Sequence, residues 1–315
     1  MENRIQLPSF DDFLLNLQTK NLSEETVYNY ERDLKTFEDF LNEINTPFDK
    51  VDKKIILHYK AYLTSRDRKT PKLALGKKRL ASYSINRMLS ALRSYLKFLT
   101  NLDYPVPVPP NAIELMKTEK KLSKVGEFEE ILKLLDAPLK FEKNKNVAIR
   151  NKAILETLFS TGARISELVN IKLTDVDNNG RIFIKGKGKK ERFVYLTPRA
   201  QKYLKEYLKI RENSDSPYLF IPFKGKNVNL KAKKISTNYL EDRIKKYREL
   251  LGLNVPITPH GFRRAFATYL AEKGASVAAI QILLGHESLD TTTRYVRASQ
   301  RFAEEIFKKY HPLKD

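Results

Sequence analysis

Apolar residues in the first hundred positions recur at helical spacing. Val27, Tyr30, Leu34, Phe37 and Leu41 form one stripe behind Ser23, whose hydroxyl suits a helix N-cap. Ile56, Tyr59 and Leu63 stay in phase behind a second cap, Asp52. Ser84 opens a third helix in which Ile85, Met88, Leu89, Leu92, Leu96 and Leu99 follow the 3.6-residue period. Arg87, Arg93 and Lys97 fall off that stripe, free to reach a ligand. A basic loop or hairpin, with Arg66 to Lys72 and then Gly76-Lys77-Lys78-Arg79, separates the second and third helices. Pro105-Val106-Pro107-Val108-Pro109-Pro110 cannot continue a helix and is read as a linker.

Beyond the linker the pattern mixes classes. A helix from Ala148 to Phe159 stops near Gly162, and another begins close to Arg164. Arg181–Ile184 and Arg192–Leu196 alternate as strands, joined by a tip with four lysines between 185 and 190. Tyr218–Ile221 is a further strand candidate, and from 237 onward the helical period returns. Thr258 caps a helix with Pro259 in its first turn and Gly274 at its end. Ser276 opens the next helix, Gly285 closes it, and Asp290 caps one more carrying Tyr295. The expectation is a mainly α protein with a small antiparallel sheet in its second domain. Domain one spans 1–105, the linker 106–125, and domain two 126–315.

Length agrees with two domains, since 315 residues is about twice the usual domain size. Charge adds a partner. Lys and Arg number 59 against 38 Asp and Glu, a formal +21, which asks for a polyanion. Residues 1–49 hold 4 basic and 11 acidic residues, whereas 50–100 hold 14 basic and 2 acidic. One face of the first domain is therefore expected on phosphates. The absence of cysteine excludes disulfides, thiolate metal sites and cysteine nucleophiles, and four histidines argue against a histidine-rich metal centre. No run approaches 18 apolar residues and MENRIQLPSF is not a signal peptide, so a cytoplasmic protein is expected.

Candidate chemistry lies in an ordered set: Arg164, Lys187, His260, Arg263, His286 and Tyr295. His260 and Arg263 share a helix face, as do Arg164 and Glu167. Arginines stay charged and grip phosphate oxygens in pairs, and a pentacoordinate phosphorane gains charge on those oxygens. Nearby positive charge favours the phenolate of Tyr295, and Lys187 can protonate a departing 5′ oxygen. Such a field needs no divalent ion and no cofactor. Each element has a plainer reading by itself. Tyr295 is one of 16 tyrosines, His260 a satisfied helix-start histidine, and His286 a partner for a carbonyl. Arg164 with Glu167 reads as an ordinary ion pair, and Lys187 as part of a solvated loop. Their order and combination carry the weight.

That combination resembles the tyrosine recombinase (phage integrase) family, Xer-type enzymes in particular. The matching stretches are Thr161-Gly162-Ala163-Arg164-Ile165-Ser166-Glu167-Leu168, the Ile184–Arg192 hairpin, His260-Gly261-Phe262-Arg263, Leu284-Gly285-His286, and Tyr295 nine residues on. Leu22–Thr26 with Tyr30 and Asp33-Leu34 looks like the helical, SAM-like core-binding domain, and Tyr310-His311-Pro312 like an Xer tail. Arg264 departs from the pattern, standing where Xer-type enzymes often have histidine. The resemblance implies an α+β catalytic domain on duplex DNA and a homotetramer on synapsed sites. Arg164 and Arg263 would bind the phosphate, and Lys187 would be the general acid. His260 would assist proton transfer, His286 contact the scissile phosphate, Glu167 support the site and Tyr295 attack. A tail helix with Phe302, Ile306, Phe307 and Tyr310 would dock on a neighbouring subunit. Lys77, Lys78, Arg79, Arg87, Arg93, Lys189, Arg243 and Lys246 are candidate DNA contacts. Dimer resolution is the expected role. Mobile-element integration, a type IB topoisomerase and an inactive DNA-binding regulator are the alternatives.

Overall fold

The computed structural model describes residues 4–65, 80–117, 126–186, 191–211, 214–225, 228–255 and 257–285. The chain divides into two compact units, Met1–Lys121 and Leu122–Asp315.

The first unit is helical: α1 (Phe10–Thr19), α2 (Glu24–Glu43), α3 (Lys53–Thr64) and α4 (Ser82–Asn101). Ser23 and Asp52 cap α2 and α3 as their positions suggest, accepting from Thr26 N and Ile55 N. The third helix starts two residues earlier than Ser84, behind Ala81. The anticipated stripes converge: Leu34, Phe37, Leu41, Tyr59, Leu63, Ile85, Leu89, Leu92, Leu96 and Leu99 are all buried. Burial of each such side chain favours folding by about 1.5–3 kcal/mol. α1, which the sequence reading did not single out, adds Phe13 and Leu17 to this core.

The proline-rich segment departs from the linker reading. Val108 and Ile113 are buried in the core of the first unit, and the Asn86 side chain bonds both the N–H and the carbonyl of Met116. Prolines prevented helix there but left two apolar side chains to bury, so residues 106–116 pack as part of the domain.

The second unit is built around α6 (Lys145–Thr161), buried along most of its length and packed by α5 (Phe128–Phe141), α8 (Pro198–Arg211) and α10 (Pro259–Glu272). α5 carries a capping box between Glu127 and Glu130. β1 (Arg181–Lys185) and β2 (Glu191–Tyr195) pair antiparallel with Arg181 opposite Tyr195 and Lys185 opposite Glu191. Ile182, Ile184 and Val194 face the core. α7 (Ile165–Leu168), α9 (Thr237–Leu250) and α11 (Val277–Leu284) complete the described unit.

The strand expected at Tyr218–Ile221 does not form. Tyr218 makes a single bridge to Lys172, and Leu219, Phe220 and Ile221 are buried in irregular backbone. Scattered backbone bonds, Leu219 N to the Ile171 carbonyl and Ile235 N to that of Phe220, are supplemented by side chains: Arg211 donates to the carbonyls of Ser216, Tyr218 and Leu219, and Arg150 to that of Ile221. The basic segment 66–79 and the helix expected after Asp290, with the tail, lie outside the described residues.

Candidate active site

The site grows from helix ends. α6 terminates at Gly162, whose φ of +60° is left-handed. A Cβ there would stand 2.5 Å from the Phe266 ring of α10, so glycine is needed for both conformation and space. The chain then turns at Arg164, the N-cap of α7. Glu167, three residues on, reaches back: its Oε2 accepts from Arg164 N at 2.9 Å and its Oε1 from Arg164 Nη1 at 2.8 Å.

α10 supplies the second pair. Thr258 accepts from Gly261 N, which fixes the first turn and presents His260 to solvent. Arg263, one turn on, is buried. Its Nη1 donates to the Gly162 carbonyl at 2.8 Å and its Nη2 to the Leu284 carbonyl at 2.6 Å. A cation thus closes the carbonyl ends of α6 and α11, where the helix dipoles are negative.

A further arginine completes the junction. Arg192 lies on the inward phase of β2, and both of its terminal nitrogens bind Glu167, at 3.2 Å to Oε1 and 2.8 Å to Oε2. Its Nε donates to the Leu283 carbonyl at 2.9 Å. Gly285 closes α11 at φ +65°, and an added Cβ would meet the Arg192 side chain at 3.1 Å.

The charges are mutually tuned. Burial alone would raise the Glu167 carboxyl. Hydrogen bonds from Arg192 and Arg164 outweigh burial and hold it below the ordinary carboxylate range. His260 is pushed below the ordinary imidazole value by lost hydration, then by the charges of Arg264, Arg263 and Arg164. Arg164, His260 and Arg263 therefore stand within electrostatic reach of one another, on segments a hundred residues apart in the chain. The cluster is cationic, rests on one ionised carboxylate, and offers a partly exposed guanidinium and a neutral imidazole to an anion.

Lys187, His286 and Tyr295 lie outside the described residues, as do Lys77, Lys78, Arg79 and Lys189. Arg87 and Arg93 each have an internal partner: Arg87 pairs with buried Asp33, and Arg93 donates to the Ile113 carbonyl. A helix face off the apolar stripe still meets neighbouring elements when the domain is this small. Arg243 lies 3.4 Å from Glu142 and over the Tyr239 ring, beside exposed Lys246, on a cleft of about 700 Å³. Arg192 was missed as a site residue. The available signal was a charged side chain in the inward phase of an otherwise apolar strand.

Among the described residues, no helix is long and apolar enough to cross a membrane. The sequence profile of the phage integrase N-terminal SAM-like domain matches residues 10–101, and that of the phage integrase family matches 124–301. Tyrosine recombinase XerD of Staphylococcus epidermidis is 31% identical over 300 residues, covering 93% of this chain and 94% of the relative. Tyrosine recombinase XerC of Natranaerobius thermophilus is 34% identical over 326 aligned positions, covering 98% of this chain and 99% of the relative. Among solved structures, XerH site-specific recombinase in a post-cleavage complex with its difH substrate superposes with a TM-score of 0.69 at 21% identity, covering 98% of this chain and 90% of XerH. The chain belongs to the phage integrase family of tyrosine recombinases and is a site-specific recombinase.

Proposed function

We propose that this recombinase exchanges strands of duplex DNA through a 3′-phosphotyrosyl intermediate formed on Tyr295. Arg164 and Arg263 hold the non-bridging oxygens of the scissile phosphate. The Tyr295 oxygen attacks phosphorus while the phenolic proton passes to His260. The bond to the 5′ oxygen breaks, and Lys187 gives that oxygen its proton, leaving a free 5′ hydroxyl. His286 contacts the same phosphate, and Glu167 orients Arg164. The reverse attack, by a 5′ hydroxyl of the partner duplex, releases Tyr295 and makes a Holliday junction. The phosphodiester energy is kept in the covalent link throughout.

The observation that carries this reading is that Arg164 and Arg263, a hundred residues apart in the chain, both act electrostatically on His260, which lost hydration and these charges hold neutral. A neutral imidazole can accept a proton, and fixed cations favour the more highly charged phosphorane over the ground state.

We assign the helical unit, 1–105 with the segment that packs on it, to core-site DNA binding and 126–315 to catalysis, with Lys77, Lys78, Arg79, Arg87, Arg93, Lys189, Arg243 and Lys246 on the DNA backbone. Full-length likeness to XerC and XerD supports a dimer-resolution role in the cytoplasm. A homotetramer on two synapsed sites, with the tail helix docked on its neighbour, is the working assembly. A lambda integrase of related fold was solved as a tetramer on a Holliday junction. A duplex nicked beside the cleavage position tests the chemistry. Wild type should trap a covalent adduct, and Tyr295→Phe should bind the duplex and trap none. Adduct formation by Tyr295→Phe refutes the nucleophile.

A further inference from the structure

Of the two arginines that bind Glu167, Arg192 is the less exposed. Its side chain is 9% exposed against 39% for Arg164. Its nitrogens are committed inside the fold: Nη1 and Nη2 to the two Glu167 oxygens, Nε to the carbonyl of Leu283. It is thus turned away from any ligand that Arg164 meets. Yet it shares that ligand's counter-ion. The Glu167 carboxylate takes one guanidinium bond from each arginine on Oε1, and one from Arg192 plus the Arg164 backbone on Oε2.

Two guanidinium groups on one carboxylate leave a net positive charge. If Arg192 were absent, Glu167 would be a buried anion with Arg164 as its only cation. Buried charge demands a partner strongly, so the carboxylate would draw in and cancel the Arg164 guanidinium. We infer that Arg192 is a positioning residue that keeps Arg164 cationic and correctly aimed: it neutralises Glu167 from the buried side and pins it between β2 and the end of α11. The inference rests on the proposed role of Arg164 at the scissile phosphate. Arg192 itself touches no reacting atom.

The test uses the full chain and single-turnover cleavage of the nicked duplex. Arg192→Gln removes the charge and leaves a polar side chain of similar reach. DNA binding should be unchanged, and cleavage should slow about 100-fold, the scale of a misaligned catalytic contact. A second duplex carries a methylphosphonate at the scissile position, where a methyl group replaces one charged oxygen. On that substrate the demand for Arg164 charge is gone, and Arg192→Gln should approach the wild-type rate. Adding Glu167→Gln should also recover cleavage, because the buried anion is gone. Equal defects on both substrates would mean that Arg192 merely braces the fold, and would overturn the inference; so would an undiminished rate on the natural phosphate. Arg192→Lys keeps the charge that offsets Glu167 and should stay near the wild-type cleavage rate on both substrates; a Lys variant slowed about 100-fold on both would also overturn the inference. Wild-type protein that traps no adduct overturns the underlying reading instead, and this inference falls with it.

Discussion

Arg150 and Gly162 stand toward opposite ends of α6, about 18 Å apart at the rise of an α-helix. Each end gathers a buried arginine and an ionised network. Around Arg150 the network is closed. Its nitrogens go to Asn151, the Ile221 carbonyl and the Tyr239 hydroxyl, and the rings of Phe223 and Tyr239 lie against it at 5.2 and 5.1 Å. Asn151, Tyr247 and Glu142 carry the chain of bonds onward to Arg243. Around Gly162 the network is open. Arg263 and Arg192 are anchored on carbonyls and on Glu167, while Arg164 and His260 remain at the surface. A buried arginine is therefore no sign of chemistry in this domain. The site is marked by a surface cation whose counter-ion is shared with a second, buried cation.

Arg164→Ala and Arg150→Met should break that comparison most cleanly. Loss of Arg164 should slow cleavage by about 100- to 1000-fold, as for removal of one transition-state donor, with little change in melting. Loss of Arg150 should do the reverse. It strips a charged donor from several buried acceptors, at about 2–3 kcal/mol of stability, and should leave cleavage per folded molecule unaltered. Thermal melting and single-turnover cleavage on the same preparations decide it. A cold-stable but inactive Arg150→Met would make the two networks one functional unit. Arg263 is a poorer probe, because its two carbonyl bonds mix folding with catalysis.

Glycines sharpen the contrast at a smaller scale. Gly162 and Gly252 have nearly the same left-handed φ, +60° and +65°, at the ends of α6 and α9. Only Gly162 is crowded, with Phe266 at 2.5 Å from a built Cβ, whereas nothing lies within 4 Å at Gly252. Gly252→Ala should cost about 1–2 kcal/mol for the backbone alone. Gly162→Ala should cost about 1–3 kcal/mol more from overpacking, measured by denaturant unfolding. It should also slow cleavage, since it displaces the carbonyl that Arg263 holds. Equal stability losses would show that Phe266 yields without consequence.

Much of this was legible residue by residue. Ser23, Asp52, Thr258 and Ser276 cap their helices, and Gly162, Gly274 and Gly285 end theirs, because caps and left-handed stops act within four residues. The hairpin was legible for the same reason. α5 and α8 were not. α5 begins behind Glu127 rather than Ser, Thr, Asp or Asn, and α8 shows its buried side only at Ala200, Leu204, Tyr207 and Arg211. The Arg164–Glu167 pair could be read from spacing. The Arg192 contacts could not: Glu167 and Leu283 are 25 and 91 residues away in sequence, and strand alternation says only that the side chain points inward. Tyr218–Ile221 misled because an apolar run of strand length is also what an irregular buried segment needs when side chains such as Arg211 satisfy its carbonyls.

The smallest effect separates the two ends of α6 by charge. His260 is depressed from 6.5 by lost hydration and then by Arg264, Arg263 and Arg164. Between its depressed value and 6.5 the unfolded chain takes up a proton that the folded chain refuses. Acidification through that window therefore costs stability, and it also charges the proposed base. Cleavage at saturating DNA should fall across the same window. Arg264→Gln removes the largest of the three charges and should raise the His260 pKa, moving the acid limb toward neutral pH. Arg150→Met should leave it in place, since a charge that remote is screened beyond a Debye length of about 8 Å. The chain has only four histidines, so the imidazole resonance of His260 can be followed directly by NMR titration. A His260 that titrates at or above 6.5, or that responds as strongly to Arg150→Met as to Arg264→Gln, would mean that the cationic cluster does not control the imidazole and that the two networks are not electrostatically distinct.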